Sequence, residues 1–277
     1  MLQSISTLKE MAETLDADMT ILRERIVNED PERIVVEVLV RKCTEAQFLE
    51  IKIANLGAHD SGKSTLLGVL CHGELDNGRG KARLNTLRHY HEIASGRTSS
   101  ISRQTIGFDT KGNLINYTSA QTSSTEHICE ISSKLVTFLD LCGHPKYQKT
   151  TMRGLMGAAP DYTCLFVAAN SGQLSDTSKD HLAFALTFSV FICITKIDVC
   201  SADQLKVTLN SLFKLLKAPG LNRIPLIIKD EDDAVTCVES FASSKYFTYL
   251  GFIFIGSCPY FCFLASRVRM CSFSKAF

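Results

Sequence analysis

The chain has 277 residues, 45% of them hydrophobic, and a formal net charge of +1 at pH 7. This balance is typical of a globular protein and excludes nucleic-acid or membrane binding through overall charge, so we expect no direct DNA binding. The 11 cysteines form no paired C-x-x-C pattern, and no secretory signal is recognisable at the start, which favours reduced thiols and a cytoplasmic protein.

Residues 1–48 are predicted to form a helix-and-strand appendage rather than a catalytic unit. In residues 1–28, apolar residues recur every three or four positions between charged ones, which predicts an amphipathic helix that Asp30-Pro31 ends. Such a stripe usually packs against a core, with a partner-binding face as the alternative. Residues 34–40, IVVEVLV, are rich in β-branched side chains and predict a strand.

Residues 51–70 read IKIANLGAHDSGKSTLLGVL and contain G-x-x-x-x-G-K-[ST], the phosphate-binding loop. An apolar strand precedes this loop and a helix follows it. The glycines let backbone N–H groups curl around an anion, and the helix N-terminus favours negative charge. We expect Lys63 to reach the β- and γ-phosphates and the Ser64 hydroxyl to bind Mg²⁺. The loop residues assigned to nucleotide binding are Gly57, Ser61, Gly62, Lys63, Ser64 and Thr65.

Residues 73–130 contain the weakest signals. Residues 85–93 are polar and predicted to be solvated; a metal site at His89 and His91 is the alternative, disfavoured because residues two apart face different ways on a helix. Residues 95–100, SGRTSS, are small and polar and predict a mobile loop over the nucleotide. Residues 113–130 are polar and predict a hairpin and an excursion.

A second nucleotide motif follows the predicted strand 134–140, KLVTFLD, which ends in a carboxylate. At a strand end beside the phosphate loop, Asp140 is placed to hold Mg²⁺ through water, and Gly143 lets a backbone N–H approach the γ-phosphate. The pattern D-x-x-G alone is more often a turn. Its place after a buried strand, downstream of a phosphate loop, supports the functional interpretation.

The third motif, Thr195-Lys196-Ile197-Asp198, follows predicted strands at 163–169 and 190–194 with a helix at 180–188 between them. A buried Asp198 carboxylate can accept hydrogen bonds from the N1–H and amino group of guanine, a donor pair that adenine lacks. The Lys196 stem can lie along the base. The alternative is a salt-bridged turn, which the order of the three motifs disfavours.

These elements predict an α/β fold with a doubly wound, mostly parallel sheet, a P-loop G domain over residues 49–257. A helix at 202–216 and a short strand at 225–228 complete it, and residues 258–277 form an atypical apolar tail. Residues 246–266 carry no charge. We expect their start to be the last strand of the domain, with a membrane anchor as the less favoured alternative.

The motifs GAHDSGKST, DLCGH and TKID resemble the translational GTPases of the elongation-factor type. Longer blocks such as HEIASGRTSSIS and ICEISSKLVTFLDLCGHPKYQKTT are similar to the subgroup of GTP-binding proteins 1 and 2, nearer to the second. The similarity covers about residues 12–244. It implies GTP or GDP with Mg²⁺ as ligands and a link to the ribosome or RNA surveillance.

The resemblance also implies residue roles. Thr98 matches the threonine that binds Mg²⁺ in the GTP form, His144 matches the histidine that positions the attacking water, and Asp60 matches an Asp of the phosphate loop. Two departures stand out: Thr195 replaces the usual Asn, and Ser257 is a poor match to the loop that backs guanine. The stretch 184–191 is shorter than in the family, which could shift the guanine strand or close the loop tightly.

The sequence therefore predicts a GTPase that hydrolyses GTP slowly without a partner, with Lys63, Thr98 and His144 as catalytic residues and Ser64, Thr98 and Asp140 as metal ligands. The β-barrel domains that follow in elongation factors are absent from this sequence. One alternative is consequently a shortened form that binds guanine nucleotide or partners without productive turnover. Another is a short-lived product of poor folding.

Overall fold

The computed structural model describes residues 2–15, 17–29, 32–42, 49–73, 75–109, 114–116, 125–172, 174–218, 224–228 and 250–255. The helices are α1 (Leu2–Thr14), α2 (Lys63–His72), α3 (Lys81–Leu84), α4 (Tyr90–Ser95), α5 (Thr125–Ile131), α6 (Gln148–Ala158), α7 (Asp176–Ala185) and α8 (Ala202–Leu216). The strands are β1 (Ala17–Glu29), β2 (Glu32–Lys42), β3 (Leu49–Gly57), β4 (Ser102–Phe108), β5 (Lys134–Asp140), β6 (Tyr162–Ala168), β7 (Ser189–Thr195), β8 (Ile224–Ile228) and β9 (Leu250–Ile255).

The prediction of one helix over residues 1–28 is wrong for its second half. Only α1 is helical, and β1 pairs with β2 as an antiparallel hairpin in a sheet of their own. The β-branched residues of β1 favour an extended backbone, and β2 pairs with one edge of it from end to end, with two register shifts. The stripe residues Leu8 and Met11 of α1, and Leu15 just after it, are exposed, at 45%, 57% and 68%, so the expectation that they pack in a core is wrong.

The second sheet confirms the predicted doubly wound architecture. Its seven strands run in the order β4-β5-β3-β6-β7-β9-β8, and all neighbours are parallel except the edge pair β4–β5. Helices lie on both faces of this sheet, and alternate strand residues therefore pack into two separate cores. Ile51 and Ile53 pack with Leu66 of α2, whereas Leu56 packs with side chains of α6, α7 and α8.

The short stretch before the guanine motif closes tightly and leaves the strand in place. Only three residues join α7 to β7, and their backbone N–H groups bond back to the end of α7, as in Phe188 N–H to the Ala185 carbonyl at 2.9 Å. Strand β7 pairs with β6 in continuous register, from Ser189 opposite Tyr162 to Thr195 opposite Ala168. The connection is therefore tight, and β7 is fully paired with β6.

The structure also bears on the predictions for the polar excursion, the helix before β7 and the C-terminal stretch. Helix α5 occupies the end of the predicted polar excursion, and α7 begins at Asp176 because Ser175 caps it. Strand β9 confirms that the uncharged stretch begins as the last strand, while Ser257 and the tail 258–277 lie outside the described residues. Within the described ranges, no helix is long and apolar enough to cross a membrane.

The polar stretch before β4 is not simply solvated. Glu92 of α4 is fully buried. His89 precedes α4 as its N-terminal cap rather than lying within it, so the His89 and His91 rings stack with centroids 5.4 Å apart instead of facing different ways. No metal-binding group of three or more His, Cys, Asp or Glu side chains occurs in the described part of the chain.

Candidate functional site

The phosphate loop connects the end of β3 to α2, as its sequence predicts. Gly57 has φ of 140°, and a Cβ there would come within 2.4 Å of the Phe166 carbonyl oxygen, so only glycine fits. Asp60 at the tip of the loop has a positive φ of 61°, an uncommon conformation for a side-chain-bearing residue. Helix α2 begins at Lys63, which directs its N-terminal N–H groups toward the loop.

Lys63 is buried inside this loop. Its Nζ donates to the carbonyl oxygens of Gly57 at 3.0 Å and Ala58 at 2.8 Å. Burial lowers the pKa of Lys63, and the nearby Asp140 carboxylate opposes that shift. The backbone of Gly143 passes so close that a Cβ would lie 2.5 Å from Lys63 Nζ. The backbone of the second motif can therefore lie this close to the phosphate loop only because residue 143 is a glycine.

Three oxygen-bearing side chains meet beside the loop. Ser64 Oγ lies 3.1 Å from Thr98 Oγ1 and donates to Asp140 Oδ2 at 2.5 Å. Asp140 is fully buried, and its Oδ1 has no hydrogen-bond partner within the described ranges. Burial raises the pKa of Asp140, whereas Lys63 and the Ser64 hydrogen bond lower it. Adjacent ligands of octahedral Mg²⁺ are about 3 Å apart, so this oxygen cluster fits that ion.

Two histidines line the same corner. The ring centroids of His59 and His144 are 6.0 Å apart. His144 Nδ1 accepts a hydrogen bond from the Lys146 N–H at 3.1 Å. His59 Nδ1 lies 3.3 Å from Asp60 Oδ2, yet burial is the larger influence and lowers the pKa of His59. His59 therefore joins His144 at the site, although no sequence pattern singled it out.

The guanine motif contacts the phosphate loop through Thr195. Its Oγ1 donates to the Ser61 carbonyl oxygen at 2.8 Å. A hydroxyl at this position thus bridges the two loops, which explains how the chain accommodates Thr in place of the usual Asn. Lys196 has a φ of 59°, and Asp198 is exposed rather than buried.

A further histidine supports the loop from behind. His181 of α7 is 1% exposed, and its Nδ1 accepts the Gly57 N–H at 3.0 Å. Burial and, to a lesser extent, Lys63 lower the pKa of His181 to about 4, so the ring is neutral at pH 7. No motif indicates His181 in the sequence; its only signal is a polar residue on the apolar face of an amphipathic helix.

One cavity of about 770 Å³ joins the three motifs. Gly57 and Asp140 lie behind this lining rather than on it, and Ser257 is outside the described residues. Arg79, Arg83 and Arg97, which no motif had assigned, also line the cavity. The residues predicted for the site that line the cavity are Asp60, Ser61, Gly62, Lys63, Ser64, Thr65, Thr98, Gly143, His144, Thr195, Lys196 and Asp198.

Comparison with known proteins agrees with this geometry. Residues 50–255 match the family described as the elongation factor Tu GTP binding domain. The chain is 50% identical over 250 residues to GTP-binding protein 2 of Homo sapiens, which covers 88% of this chain and 41% of that protein. It is 47% identical over 247 residues to GTP-binding protein 1 of Xenopus laevis, covering 87% and 37%. The chain thus spans about two-fifths of the length of these relatives.

Among solved structures, the crystal structure of the bacterial selenocysteine-specific elongation factor EF-Sec aligns with 83% of this chain and 29% of its own, at 16% identity and a TM-score of 0.48. The family match covers most of the chain, including the whole cavity lining, and the identity to the two GTP-binding proteins extends beyond it. The chain therefore belongs to the family of the elongation factor Tu GTP binding domain and is similar in sequence to GTP-binding proteins 1 and 2.

Proposed function

We propose that this domain binds GTP and Mg²⁺ and hydrolyses GTP to GDP and phosphate. One observation carries the proposal: the loops that follow β3, β5 and β7 line a single cavity and bring a buried lysine, a cluster of oxygen ligands and an acidic residue to it. Ligand sites in open α/β sheets lie at these carboxyl ends of the strands.

The phosphates would be held by the first loop. Lys63 and the N–H groups at the start of α2 supply positive charge and donors directed at the anion. The present partners of Lys63 are two backbone carbonyls and, at 3.4 Å, the Ser61 hydroxyl, and they hold its ammonium group in place. Lys63 and these N–H groups would also stabilise the negative charge that develops on the phosphate oxygens during transfer of the γ-phosphate.

Ser64 and Thr98 would bind Mg²⁺ directly, and Asp140 would do so through water, leaving Oδ1 to bind one of the waters. The ion would neutralise phosphate charge in the bound state. At the other end of the cavity, Asp198 would accept two hydrogen bonds from guanine, while the stem of Lys196 lies along the base.

His144 would orient the attacking water, but not in the arrangement described here. Because Nδ1 accepts the Lys146 N–H, a neutral His144 ring carries its proton on Nε2 and cannot accept a hydrogen bond there. We propose that a cytoplasmic partner, the ribosome or an RNA-surveillance factor, reorients this half-buried ring. Turnover by the domain alone is accordingly slow.

The test is GTP turnover by the purified protein with and without ribosomes. We expect ribosomes to raise the rate and His144→Ala to lower the stimulated rate about a hundredfold, the scale of a lost proton-transfer or water-positioning group. His127→Ala, at an exposed position of α5, is the matched control. A His144→Ala protein with the stimulated rate of the wild type would refute the role of His144.

A protein that binds nucleotide without turnover is a distinct outcome of the same experiment. It would show tight, Mg²⁺-dependent binding of a GTP analogue with no hydrolysis above the background rate, with or without ribosomes. That result would retain the binding site and exclude the enzymatic function.

A further inference from the structure

Thr98 lies in the connection between α4 and β4, residues 96–101, here called the Thr98 loop. Its hydroxyl reaches Ser64 Oγ at 3.1 Å, at the oxygen cluster that fits Mg²⁺. A loop can present a hydroxyl to within a few tenths of an ångström only if its backbone is fixed by other contacts. The described contacts identify the group that fixes it.

Glu92 of α4 holds the two residues that follow Thr98. Its Oε1 accepts the Ser99 N–H at 2.6 Å, the Ser99 Oγ–H at 2.8 Å and the Ser100 N–H at 2.7 Å. Its Oε2 accepts the N–H groups of Arg88 and His89 at the start of α4, at 3.0 and 3.1 Å. One carboxylate therefore ties the beginning of the helix to the loop that emerges from its end.

The chemistry of Glu92 is that of a permanent anion. Burial would raise the pKa of Glu92, but the hydrogen bonds from Ser99, Arg88 and Ser100 outweigh burial and lower the pKa to about 2. A fully buried carboxylate with five donors is energetically sound only while those donors stay in place. The loop is thus fixed by an interaction that resists both solvation and protonation.

One other contact of the Thr98 loop is as short, His91 Nε2 to Ser99 Oγ at 2.6 Å, but it holds only a side chain. The remaining contacts are longer. Arg83 Nη1 donates to the Gly96 carbonyl at 3.4 Å, and Cys142 Sγ donates to the Ser100 carbonyl at 3.6 Å. Neither has the short, charge-assisted geometry of the Glu92 contacts. Glu92 is consequently the strongest of the described anchors of this loop.

We propose that Glu92 is the positioning residue for Thr98, and that through it this domain distinguishes a Mg²⁺-bound nucleoside triphosphate from a diphosphate. The inference rests on the proposed function. Lys63 and Asp198, the proposed contacts of the β-phosphate and base, have no described hydrogen bond to Glu92. Loss of the Glu92 carboxylate should therefore weaken triphosphate binding and spare diphosphate binding.

The experiment measures the binding of fluorescent GDP and of a non-hydrolysable GTP analogue to the full chain over a range of Mg²⁺ concentrations. For Glu92→Gln, which replaces one accepting oxygen with a donor, we expect about tenfold or greater loss of analogue affinity and GDP affinity within about twofold of wild type. Thr98→Ala should behave in the same way. The double variant should bind the analogue no more weakly than Thr98→Ala does, because both changes disrupt the same interaction of Thr98.

Two further variants keep the result interpretable. Ser99→Ala removes the Ser99 hydroxyl contacts to Glu92 and His91 but keeps both backbone N–H bonds to Glu92, so it should cause a smaller loss in the same direction. Glu126→Gln, at an exposed position of α5, is the matched control and should have no effect. A variant that still binds GDP and unfolds cooperatively is folded, so GDP-dependent thermal stabilisation separates misfolding from a positioning effect.

The outcomes separate the two proposals. If Thr98→Ala loses analogue affinity and Glu92→Gln does not, the positioning role of Glu92 is wrong and the proposed function stands. If the losses of analogue affinity in the two single variants add fully in the double variant, the positioning role of Glu92 is also wrong. If the wild-type protein shows no Mg²⁺-dependent binding of the analogue, both the proposed function and this inference fail.

Discussion

The two ends of the cavity are built in contrasting ways. At the phosphate end, Lys63 and Asp140 are buried, and Gly143 passes within contact of the lysine ammonium group. At the base end, Asp198 and Val199 are exposed on the protein surface. The phosphate end is organised by the fold itself, whereas the base end would be completed by the ligand. Substitutions at the first should disturb both structure and binding, and substitutions at the second should disturb binding and specificity alone.

The largest effect is expected at the phosphate end. Lys63→Met keeps the apolar stem but removes the charge and its donors, so GDP and GTP affinity should fall about a thousandfold, roughly 4 kcal/mol. Titration with fluorescent GDP measures this loss. Lys214→Met, on the exposed surface of α8, should leave affinity unchanged. Nucleotide binding within about tenfold of wild type in Lys63→Met would show that the lysine is not a principal phosphate contact.

A change at the base end should alter selectivity without altering stability. Asp198→Asn replaces one acceptor with a donor, so guanine nucleotides should bind about a hundredfold more weakly, roughly 3 kcal/mol, and xanthine nucleotides, which carry an oxygen in place of the amino group, should bind more tightly than in the wild type. Competition assays with GDP, XDP and ADP measure this change. The midpoint of thermal unfolding without nucleotide should stay at the wild-type value, in contrast to changes at the phosphate end.

The pH dependence of stability should reveal the support behind the phosphate loop. The pKa of His181 is about 4 in the folded state against 6.5 for an ordinary histidine, mainly through burial, with a smaller contribution from Lys63 and opposing ones from the Gly57 N–H and Asp180. Between these values the unfolded chain binds a proton that the folded chain does not. His181 should therefore lower the free energy of unfolding by about 2 kcal/mol as the pH falls from 7.5 to 5.

Urea unfolding at the two pH values measures this loss, and His181→Asn is the comparison variant because it keeps an acceptor for Gly57 but does not titrate. Its pH-dependent loss should be smaller by that amount. An equal loss in both proteins would mean that other groups account for the pH dependence.

The smallest effect is expected at the bond that joins the two ends. Thr195→Val keeps the shape of the side chain and removes the donor to the Ser61 carbonyl, which should cost about 1 kcal/mol of stability and a few-fold in GDP affinity. Thr195→Ser should restore both. If Thr195→Val matches the wild type in calorimetry and GDP titration, the two ends are energetically independent.

Except for β4, the strands of the seven-stranded sheet and the three motifs were predictable from the sequence because their signals are local. An apolar run that ends in a glycine-rich turn fixes both the strand and the backbone shape after it, and β5 and α8 match their predicted bounds. Once parallel order is assigned, the topology brings the strand ends together. The site predicted from residues 57–65, 140–144 and 195–198 follows from that alone.

The missed features depend on contacts that no local pattern encodes. His181 meets Gly57 across 124 residues. Glu92 reads as one more charged residue in a polar stretch, and only the fold shows that five donors surround it. The error in residues 15–28 has a different origin, because their apolar spacing fits a helix while their β-branched side chains fit a strand, and pairing with β2 decides between them.

The three-residue connector between α7 and β7 has an evolutionary consequence. Its backbone N–H groups are already bonded to the end of α7, and β7 keeps full register with β6. A deletion there would have to unwind α7 or shift β7 along β6, and either change would displace Thr195 and Asp198, the proposed base-end residues. Extra residues would simply bulge into solvent, so homologous chains should vary here by insertion and not by further loss.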